Sequence, residues 1–393
     1  MGVPKLRFKA DDGSDFPNWE EKTLGELCEP LSYGMNAAAT KFDGENRYIR
    51  ITDIDDETHA FLSNDVVSPS GELDDKYLVK KGDILLARTG ASTGKSYLYH
   101  PKDGKLFYAG FLIKAHVLPS SDDYFIYSQT LTDRYGKWVK TTSMRSGQPG
   151  INANEYASYS FSVPSLPEQR KIADLLSAVD DVIAAQKTEV AAWEKRKKGV
   201  MQKLFSQEVR FKADDGSDFP DWEEKTLGDI CMYERQRSEG ANFIGTESML
   251  KDFGGVAFDN SKDDGSGTLY HPGDTLMSNI RPYLKKAWLA DRKGTCSTDV
   301  LVFHPTSVEP GYLYWLIASD AFVRYVMSAA KGSKMPRGDK KHIMEMPLLL
   351  PNKDEQRKID DCLSSLNDVI IKAKNELAKW QELKKGLLQQ MFV

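Results

Sequence analysis

The segment Gly90-Ala-Ser-Thr-Gly-Lys-Ser96 has the residue types of a phosphate-binding loop, in which glycine amides and a lysine surround a phosphate. That pattern requires a glycine five residues before Gly94, and Thr89 occupies the position. The residues that follow, 97–101, predict a strand running into a proline, whereas phosphate binding uses the N-terminus of a helix. We therefore expect no nucleotide site in this segment.

Other residue patterns that support catalysis are also missing from the sequence. There is no Asn/Asp-Pro-Pro-Phe/Tyr motif for amine methylation, no Pro-Pro pair at all, and no glycine-rich cofactor fingerprint between a strand and a helix. The histidines form no close pair, and the cysteines are far apart without a CxxC pair. We expect no catalytic residues, no metal, no bound cofactor and no disulfide. The histidines are His59, His100, His116, His271, His304 and His342, and the cysteines are Cys28, Cys231, Cys296 and Cys362.

Two basic segments nevertheless indicate binding to a polyanion. The net charge of the chain is −5, but residues 76–145 contain 12 Lys/Arg against 5 Asp/Glu, and residues 281–342 contain 11 against 5. A phosphate footprint on DNA needs only one basic face, so the negative total does not exclude it. Ordinary solvated surfaces remain the alternative explanation.

Each basic segment follows the same local pattern. A Gly-Asp turn at 82–83 or 273–274 introduces a short apolar strand, and a polar loop follows the strand. A second polar loop, 141–152 or 331–341, comes later in each segment. Such loops suit both phosphate contacts and hydrogen bonds to base edges. The predicted DNA-binding residues are Arg88, Thr89, Lys95, Arg145, Gln148, Asn152, Asn279, Arg281, Tyr283, Lys285, Lys286, Lys334, Arg337 and Lys340.

An internal repeat sets the organisation of the chain. Residues 6–28 and 209–231 are identical at 19 of 23 positions, and the run EQRKI occurs at 168–172 and again at 355–359. Near-identical frames around dissimilar inserts suit a protein that meets one partner twice and reads two different targets. A recent duplication whose inserts drifted is the alternative. The predicted segments are frame 1–28, insert 29–164, helix 165–208, frame 209–231, insert 232–351 and helix 352–393.

Both predicted helices begin with a capping sequence and continue as heptads. Ser165-Leu-Pro-Glu168 and Asn352-Lys-Asp-Glu355 place a capping side chain three residues before a glutamate. Apolar residues then recur in alternating steps of four and three, which is typical of a coiled coil, over a rod of about 58 Å at 1.5 Å per residue. A generic dimerisation coil is the alternative. The fold class predicted is α+β: two mostly-β domains separated by two long antiparallel coiled-coil helices in a pseudo-twofold repeat.

Several tracts resemble the specificity subunits of type I restriction–modification systems. They are Gly147-Gln-Pro-Gly-Ile-Asn152 with Val163-Pro164 and Glu168-Gln-Arg-Lys-Ile172, the Gly-Asp strand, and the Trp-Glu-Glu-Lys-Thr-Leu-Gly frame at 19–25 and 222–228. The resemblance covers essentially the whole chain. In the second insert Gly338-Asp-Lys-Lys-His-Ile343 replaces the Gly-Ile-Asn run, which is a departure from the family pattern.

The resemblance implies a non-catalytic subunit whose two target-recognition domains each read one half of a bipartite site in double-stranded DNA. It implies docking of two adenine-methylating subunits, and of restriction subunits, on the conserved regions, with S-adenosylmethionine and ATP held by those partners. A cytoplasmic protein without a membrane segment is expected. The rival functions are a self-sufficient methyltransferase or nuclease, and a coiled-coil scaffold that binds no DNA. The residues predicted to bind partners are Trp19, Glu168, Gln169, Arg170, Trp222, Glu355, Gln356 and Arg357.

Overall fold

The computed structural model describes residues 4–144, 148–258 and 265–392, which form two compact units. Unit 1 contains residues 1–188 and 375–393, and unit 2 contains residues 189–374. Each unit therefore takes one insert, the beginning of one long helix and the end of the other. No helix in the described part of the chain is long and apolar enough to span a membrane.

The first half of the chain forms a mixed set of short strands and helices before its long helix. Its elements are β1 Glu20–Thr23, α1 Leu24–Leu27, β2 Ser32–Tyr33, β3 Ala39–Lys41, β4 Arg47–Ile49, β5 Val67–Pro69, β6 Asp83–Ala87, β7 Ser96–Leu98, β8 Leu106–Tyr108, β9 Leu112–His116, α2 Asp123–Gln129, α3 Asp133–Thr142, α4 Ala153–Ala157, β10 Ser160–Val163 and α5 Leu166–Phe205.

The centre of unit 1 is an antiparallel sheet with strand order β2-β9-β6-β7. Its strand β6 is buried at every position, because it lies between two apolar clusters on opposite faces of the sheet. Strands β4 and β8 form a parallel pair beside it. The frame strand β1 pairs with β10, so the conserved frame closes onto the residues that precede α5.

The second half of the chain repeats this plan. Its elements are β11 Glu223–Thr226, α6 Leu227–Ile230, β12 Cys231–Tyr233, β13 Arg237–Gly240, β14 Gly265–Tyr270, β15 Thr275–Ser278, β16 Ala287–Leu289, β17 Gly294–Cys296, β18 Val300–Pro305, α7 Pro310–Ile317, α8 Asp320–Ser328, α9 Lys340–Met344, β19 Pro347–Leu350 and α10 Lys353–Met391.

Unit 2 has a central antiparallel sheet with strand order β12-β18-β15-β16 and a second sheet with order β13-β14-β17. Strand β15 occupies the place of β6 and is likewise buried throughout. The frame strand β11 pairs with β19, as β1 pairs with β10 in unit 1. The predicted α+β fold with two mostly-β domains is confirmed.

The long helices α5 and α10 are antiparallel. In unit 2, Glu194 of α5 pairs with Lys374 of α10 at 2.6 Å, and Lys197 of α5 donates to Asn367 of α10 at 2.9 Å. Residue numbers therefore increase along α5 in the direction in which they decrease along α10. The heptad residues at the helix ends are buried: Ile359 and Leu363 share a core with Met201 and Leu204 in unit 2, and Ile172 and Leu176 share one with Leu388, Met391 and Phe392 in unit 1.

The two helix starts differ in their capping. The Asn352 side chain accepts from the Glu355 amide at 2.9 Å, as the sequence predicts. The Ser165 hydroxyl is buried and has no hydrogen-bond partner among the described residues, so the predicted cap by this side chain is wrong. At both helix starts the carbonyl of the residue at this position accepts the first backbone bond, from the Gln169 amide and from the Gln356 amide, at 3.0 Å each.

Candidate nucleic-acid interface

Each insert builds the same Gly-Asp turn before its buried strand. Gly82 and Gly273 have φ of +89° and +90°, a left-handed conformation that glycine adopts without strain. The aspartate that follows accepts a backbone amide three residues upstream at 2.7 Å and lies 2.7 Å from a histidine Nδ1 on the next strand. The histidines are His116 in unit 1 and His304 in unit 2. The turn therefore fixes β6 and β15 in matching positions.

Three loops meet where β6 ends, and we call the 88–95, 109–111 and 148–152 loops the first loop junction. The Arg88 amide donates to the Phe111 carbonyl at 3.0 Å, and the Gly90 amide donates to the Pro149 carbonyl at 3.0 Å. The Ile151 amide donates back to the Arg88 carbonyl at 2.9 Å. These backbone bonds hold the three loops together as one surface.

The second loop junction consists of the 279–286, 297–299 and 331–339 loops at the end of β15. The Asn279 amide donates to the Asp299 carbonyl at 2.8 Å, and the Arg281 amide donates to the Pro336 carbonyl at 2.7 Å. These two bonds join the same pairs of loops as in the first junction. The inserts thus share a backbone arrangement although their sequences differ.

Arg88 is held at the first loop junction with part of its hydrogen-bonding capacity unused. Its guanidinium carbon lies 4.7 Å from the centre of the Tyr33 ring, and Nη1 reaches the Gly110 carbonyl at 3.5 Å. Its Nε is buried without a partner in the described residues. Thr89 beside it is half-buried, and Gln148 across the junction is exposed. Arg145, predicted for the same surface, lies outside the described residues.

The second loop junction contains seven of the predicted DNA-binding residues, of which Lys285 and Lys286 are described below with Lys95. Asn279 is buried, and its side-chain oxygen has no partner among the described residues. Arg281 has a left-handed backbone with φ +51°, and its Nε is likewise buried and unpartnered there. Arg337 is exposed and donates from Nε to Asp299 Oδ1 at 3.2 Å. Tyr283 and Lys334 are exposed close by in sequence.

Three predicted lysines have internal partners. Lys95 Nζ donates to the Ile54 carbonyl at 2.8 Å and pairs with Asp56 at 2.5 Å, leaving its side chain 11% exposed. Lys286, at the matching position, donates to the Thr246 carbonyl at 2.7 Å, and burial lowers its pKa. Lys285 pairs with Asp320 at 2.8 Å. In the structure these three ammonium groups bind neighbouring segments of their own unit. Their contact with DNA stays a prediction.

Two further candidates lie at helix starts. The Asn152 side chain accepts from the Glu155 amide at 2.9 Å as the N-cap of α4, so its oxygen is already engaged. Asp339 caps α9 in the same way, and the exposed Lys340 is the first residue of that helix. The residues sequence reasoning missed are Tyr33, Phe111 and Asp299.

A sequence profile of the type I restriction modification DNA specificity domain matches residues 17–192 and 220–379. Each match covers the end of one frame, its insert and most of the following helix. The chain belongs to the type I DNA specificity family.

Curated relatives and solved structures agree with this assignment. The chain is 21% identical over 420 residues to the type I restriction enzyme MjaVIII specificity subunit of Methanocaldococcus jannaschii, covering 98% of this chain and 95% of that protein. It is 25% identical over 283 residues to the putative MjaX specificity subunit of the same organism, covering 69% and 65%.

The fold matches a crystal structure of a type I restriction–modification S subunit from M. genitalium, with a TM-score of 0.63 at 16% identity over 100% and 99% of the two chains. A chain from a structural study of complex assembly and conformational transition of the type I system matches with a TM-score of 0.55 at 17% identity, covering 95% and 97%.

The conserved frames of this specificity-family chain attach to its helices through a buried carboxylate. In unit 1, Glu168 is fully buried and accepts two bonds from Arg7, at 2.9 and 2.7 Å, and one from Trp19 Nε1 at 3.3 Å. In unit 2, Glu355 is equally buried and accepts from Arg210 at 3.1 and 2.8 Å and from Trp222 at 2.9 Å.

The glutamine beside each carboxylate is also internal. Gln169 accepts from the Asp122 amide at 2.9 Å and donates to the Pro164 carbonyl at 2.9 Å. Gln356 makes the matching bonds to the Glu309 amide and the Pro351 carbonyl, at 2.8 and 2.7 Å. Six of the residues predicted to bind partners are buried and internally bonded, and their contact with a partner stays a prediction: Trp19, Glu168, Gln169, Trp222, Glu355 and Gln356.

The arginine that completes each repeat remains at the surface. Arg170 and Arg357 are both exposed, at matching positions in the first turns of α5 and α10. Arg357 pairs with Glu309 and Asp354 at 3.0 Å each. Of the residues predicted to bind partners, these two keep side chains that a second protein could reach.

Proposed function

We propose that this chain is the sequence-reading subunit of a type I restriction–modification complex and has no catalytic activity of its own. Each insert reads one half of a bipartite site in double-stranded DNA. The lengths of α5 and α10 set the spacer between the half-sites. The conserved frames and the exposed faces of the helices dock the partner subunits.

The observation that carries the proposal is the loop junction, which occurs twice with one backbone plan and two different sets of side chains. A shared plan places reading positions equivalently, and different side chains at those positions recognise different bases. Arg88 and Asn279 occupy one such position, since each follows the buried strand and donates its amide to the 109–111 or 297–299 loop. Buried polar atoms are normally hydrogen-bonded, so the unpartnered Arg88 Nε and Asn279 Oδ1 suit a polar ligand at each junction.

The partners we propose are two adenine-methylating subunits that bind S-adenosylmethionine, and restriction subunits that use ATP. Repetition of the frame supports two copies of one partner, because each frame sits on its own unit in the same way. Arg170 and Arg357 are the residues we assign to this contact.

The decisive test compares the chain alone with the chain produced together with a type I methyltransferase subunit from the same genome. We expect methylated adenines at a bipartite sequence only when both proteins are present, mapped by methylation-sensitive sequencing of host DNA. The methyltransferase subunit alone serves as the control. Methyl transfer by the chain alone would establish the rival function of a self-sufficient enzyme.

The spacer function is tested by changing helix length. Four residues inserted near Lys195–Lys198 lengthen a helix by about 6 Å at 1.5 Å per residue, which corresponds to about two base pairs of duplex. We expect the spacer to grow by one or two base pairs while both half-sites stay unchanged. A Lys195→Ala variant controls for disturbance of the same position. An active insertion variant that keeps the original spacer would show that helix length does not set the spacer.

A further inference from the structure

We propose that Phe111 and Arg88 form a two-residue base reader in the first insert, in which Phe111 contacts the C5-methyl group of a thymine and Arg88 contacts a guanine. This inference rests on the proposed function, because it names the bases that the first loop junction recognises.

Phe111 is placed by its neighbours. Tyr108, Ala109, Leu112 and Ile113 are 6% exposed or less, whereas the Phe111 side chain is 63% exposed. The strands on both sides are therefore anchored in the core, and the 109–111 loop projects a single aromatic ring into solvent. Covering this ring with an apolar group of a ligand is favourable, because it removes apolar surface from water.

The surroundings of Phe111 fit DNA. The loop belongs to the first loop junction, where Arg88 donates its amide to the Phe111 carbonyl at 3.0 Å, so the two residues are neighbours across the junction. The exposed Tyr33 and Gln148 belong to the same part of unit 1. On the major-groove edges of the bases, the thymine methyl group is the apolar feature that a phenyl ring can contact.

Arg88 is ordered before any ligand binds. Its guanidinium stacks over the Tyr33 ring at 4.7 Å, and the Tyr33 hydroxyl accepts from the Ala153 amide at 3.1 Å, which fixes the ring against the start of α4. The remaining contact to Gly110, at 3.5 Å, is long. A guanidinium held with free donors matches the two acceptors of a guanine, O6 and N7.

The second insert has a different residue at the matching place. Asp299 stands where Phe111 stands, and its carboxylate pairs with Arg337 at 3.2 Å. The exposed phenyl ring at this position therefore belongs to the first insert. We expect the half-site read by residues 29–164 to respond to removal of a thymine methyl group through this ring.

The test uses the complete chain assembled with its methyltransferase partner and duplexes of the mapped target, with each thymine of the first half-site replaced in turn by deoxyuridine. Deoxyuridine keeps base pairing and removes only the methyl group. We expect one position at which replacement weakens binding about three- to tenfold, the scale for losing one buried methyl contact. The Phe111→Ala variant should bind more weakly and no longer distinguish thymine from deoxyuridine there.

Two further variants make the result specific. Phe111→Leu keeps an apolar contact and should restore part of the discrimination. Met232→Ala, at an exposed apolar residue of unit 2 outside both loop junctions, should leave first-half sensitivity intact. Arg88→Ala should relax the preference for guanine at one neighbouring position. Absence of any thymine position that responds, or an equal response in Phe111→Ala, overturns the inference while a mapped bipartite target keeps the proposed function. Failure to find any bipartite target overturns the proposed function itself.

Discussion

The two loop junctions differ in chemistry although their backbones correspond. The first presents an aromatic surface, with Arg88 stacked on Tyr33 and Phe111 open to solvent. The second presents an ion pair, in which Asp299 at the place of Phe111 binds Arg337. An apolar reader favours methyl groups, whereas an ion pair must be rearranged or shared before its arginine can bind a base.

Comparison of the two junctions shows which residues the two inserts share and which differ. The Gly-Asp turn, the histidine beside its aspartate and the lysine that ties the following loop to a carbonyl occur in both inserts. The variable residues stand at the tips of those loops. The recognised sequence can thus change without rebuilding the core, because the tips contribute little to stability.

The largest expected effect is a change of one complete half-site. Replacing residues 29–164 by the insert of another family member removes the first loop junction and leaves the second intact. We expect methylation mapping of host DNA to reveal a new first half and an unchanged second half. Replacing residues 232–351 is the matched experiment. A change in both halves after either replacement would disprove independent reading.

A large loss of stability is expected when the buried carboxylate that both units share is removed. Glu168→Ala removes the carboxylate that accepts from Arg7 and Trp19, and breaking a buried ion pair in this way costs about 3–5 kcal/mol. Glu355→Ala should cost a similar amount, as measured by urea unfolding. The exposed Glu20→Ala variant is the control and should change stability by less than about 0.5 kcal/mol. If only one of the two substitutions lowered the free energy of unfolding, the two carboxylates would not stabilise their units equally.

A smaller effect distinguishes base reading from phosphate binding at the second loop junction. Arg337→Ala should cost about 1–3 kcal/mol of binding and relax specificity at one base pair, if its guanidinium exchanges Asp299 for a base edge. Competition binding with single-base variants of the second half-site measures this. An equal loss for all DNA sequences would make Arg337 a phosphate contact. Asp299→Asn keeps Arg337 but removes its ion pair, so it measures how much the ion pair itself affects DNA binding.

The smallest effect concerns Asp320, whose pKa is lowered to about 2 by Lys198 and Lys285. Because the folded pKa lies below its ordinary value of 3.8, the stabilisation is present above about pH 4 and is lost as pH falls toward 2. Partial exposure should keep it below about 1 kcal/mol. Between pH 5 and pH 3 the free energy of unfolding should fall less steeply in Asp320→Asn than in the unaltered protein. Asp133→Asn, at the matching position of unit 1, is the control, and an equal change in it would contradict this origin.

Much of this architecture could be predicted from the sequence, because it depends on repetition and periodicity. The frames, the Gly-Asp turns and the heptads identified the elements, their order and the two long helices. The roles of individual polar residues could not be predicted in this way. Glu168 and Gln169 repeat because they bind Arg7 and backbone groups inside each unit, and Lys95 points to a carbonyl. Those roles depend on contacts between residues far apart in the chain.

The repeated arginine of the frames was an unused signal. Arg7 and Arg210 repeat together with Glu168 and Glu355, and a repeated pair of opposite charges is the pattern expected of a structural ion pair. The exposed Phe111 had no sequence signal of its own, since a phenylalanine between apolar residues reads as core. Its 63% exposure in the folded unit is what shows that it faces solvent.

The assignment of the last 19 residues to unit 1 determines the order in which the chain can fold on the ribosome. Multidomain chains usually complete their N-terminal part first. Here the core of unit 1 includes Leu388, Met391 and Phe392, and the Phe392 ring stacks on Phe125 at 5.4 Å. The residues of unit 1 that are made first must therefore wait, with part of their apolar surface uncovered, until residues 388–392 have been made. Unit 2 is a continuous stretch of chain that is complete before those residues are made, so its core can form before the core of unit 1.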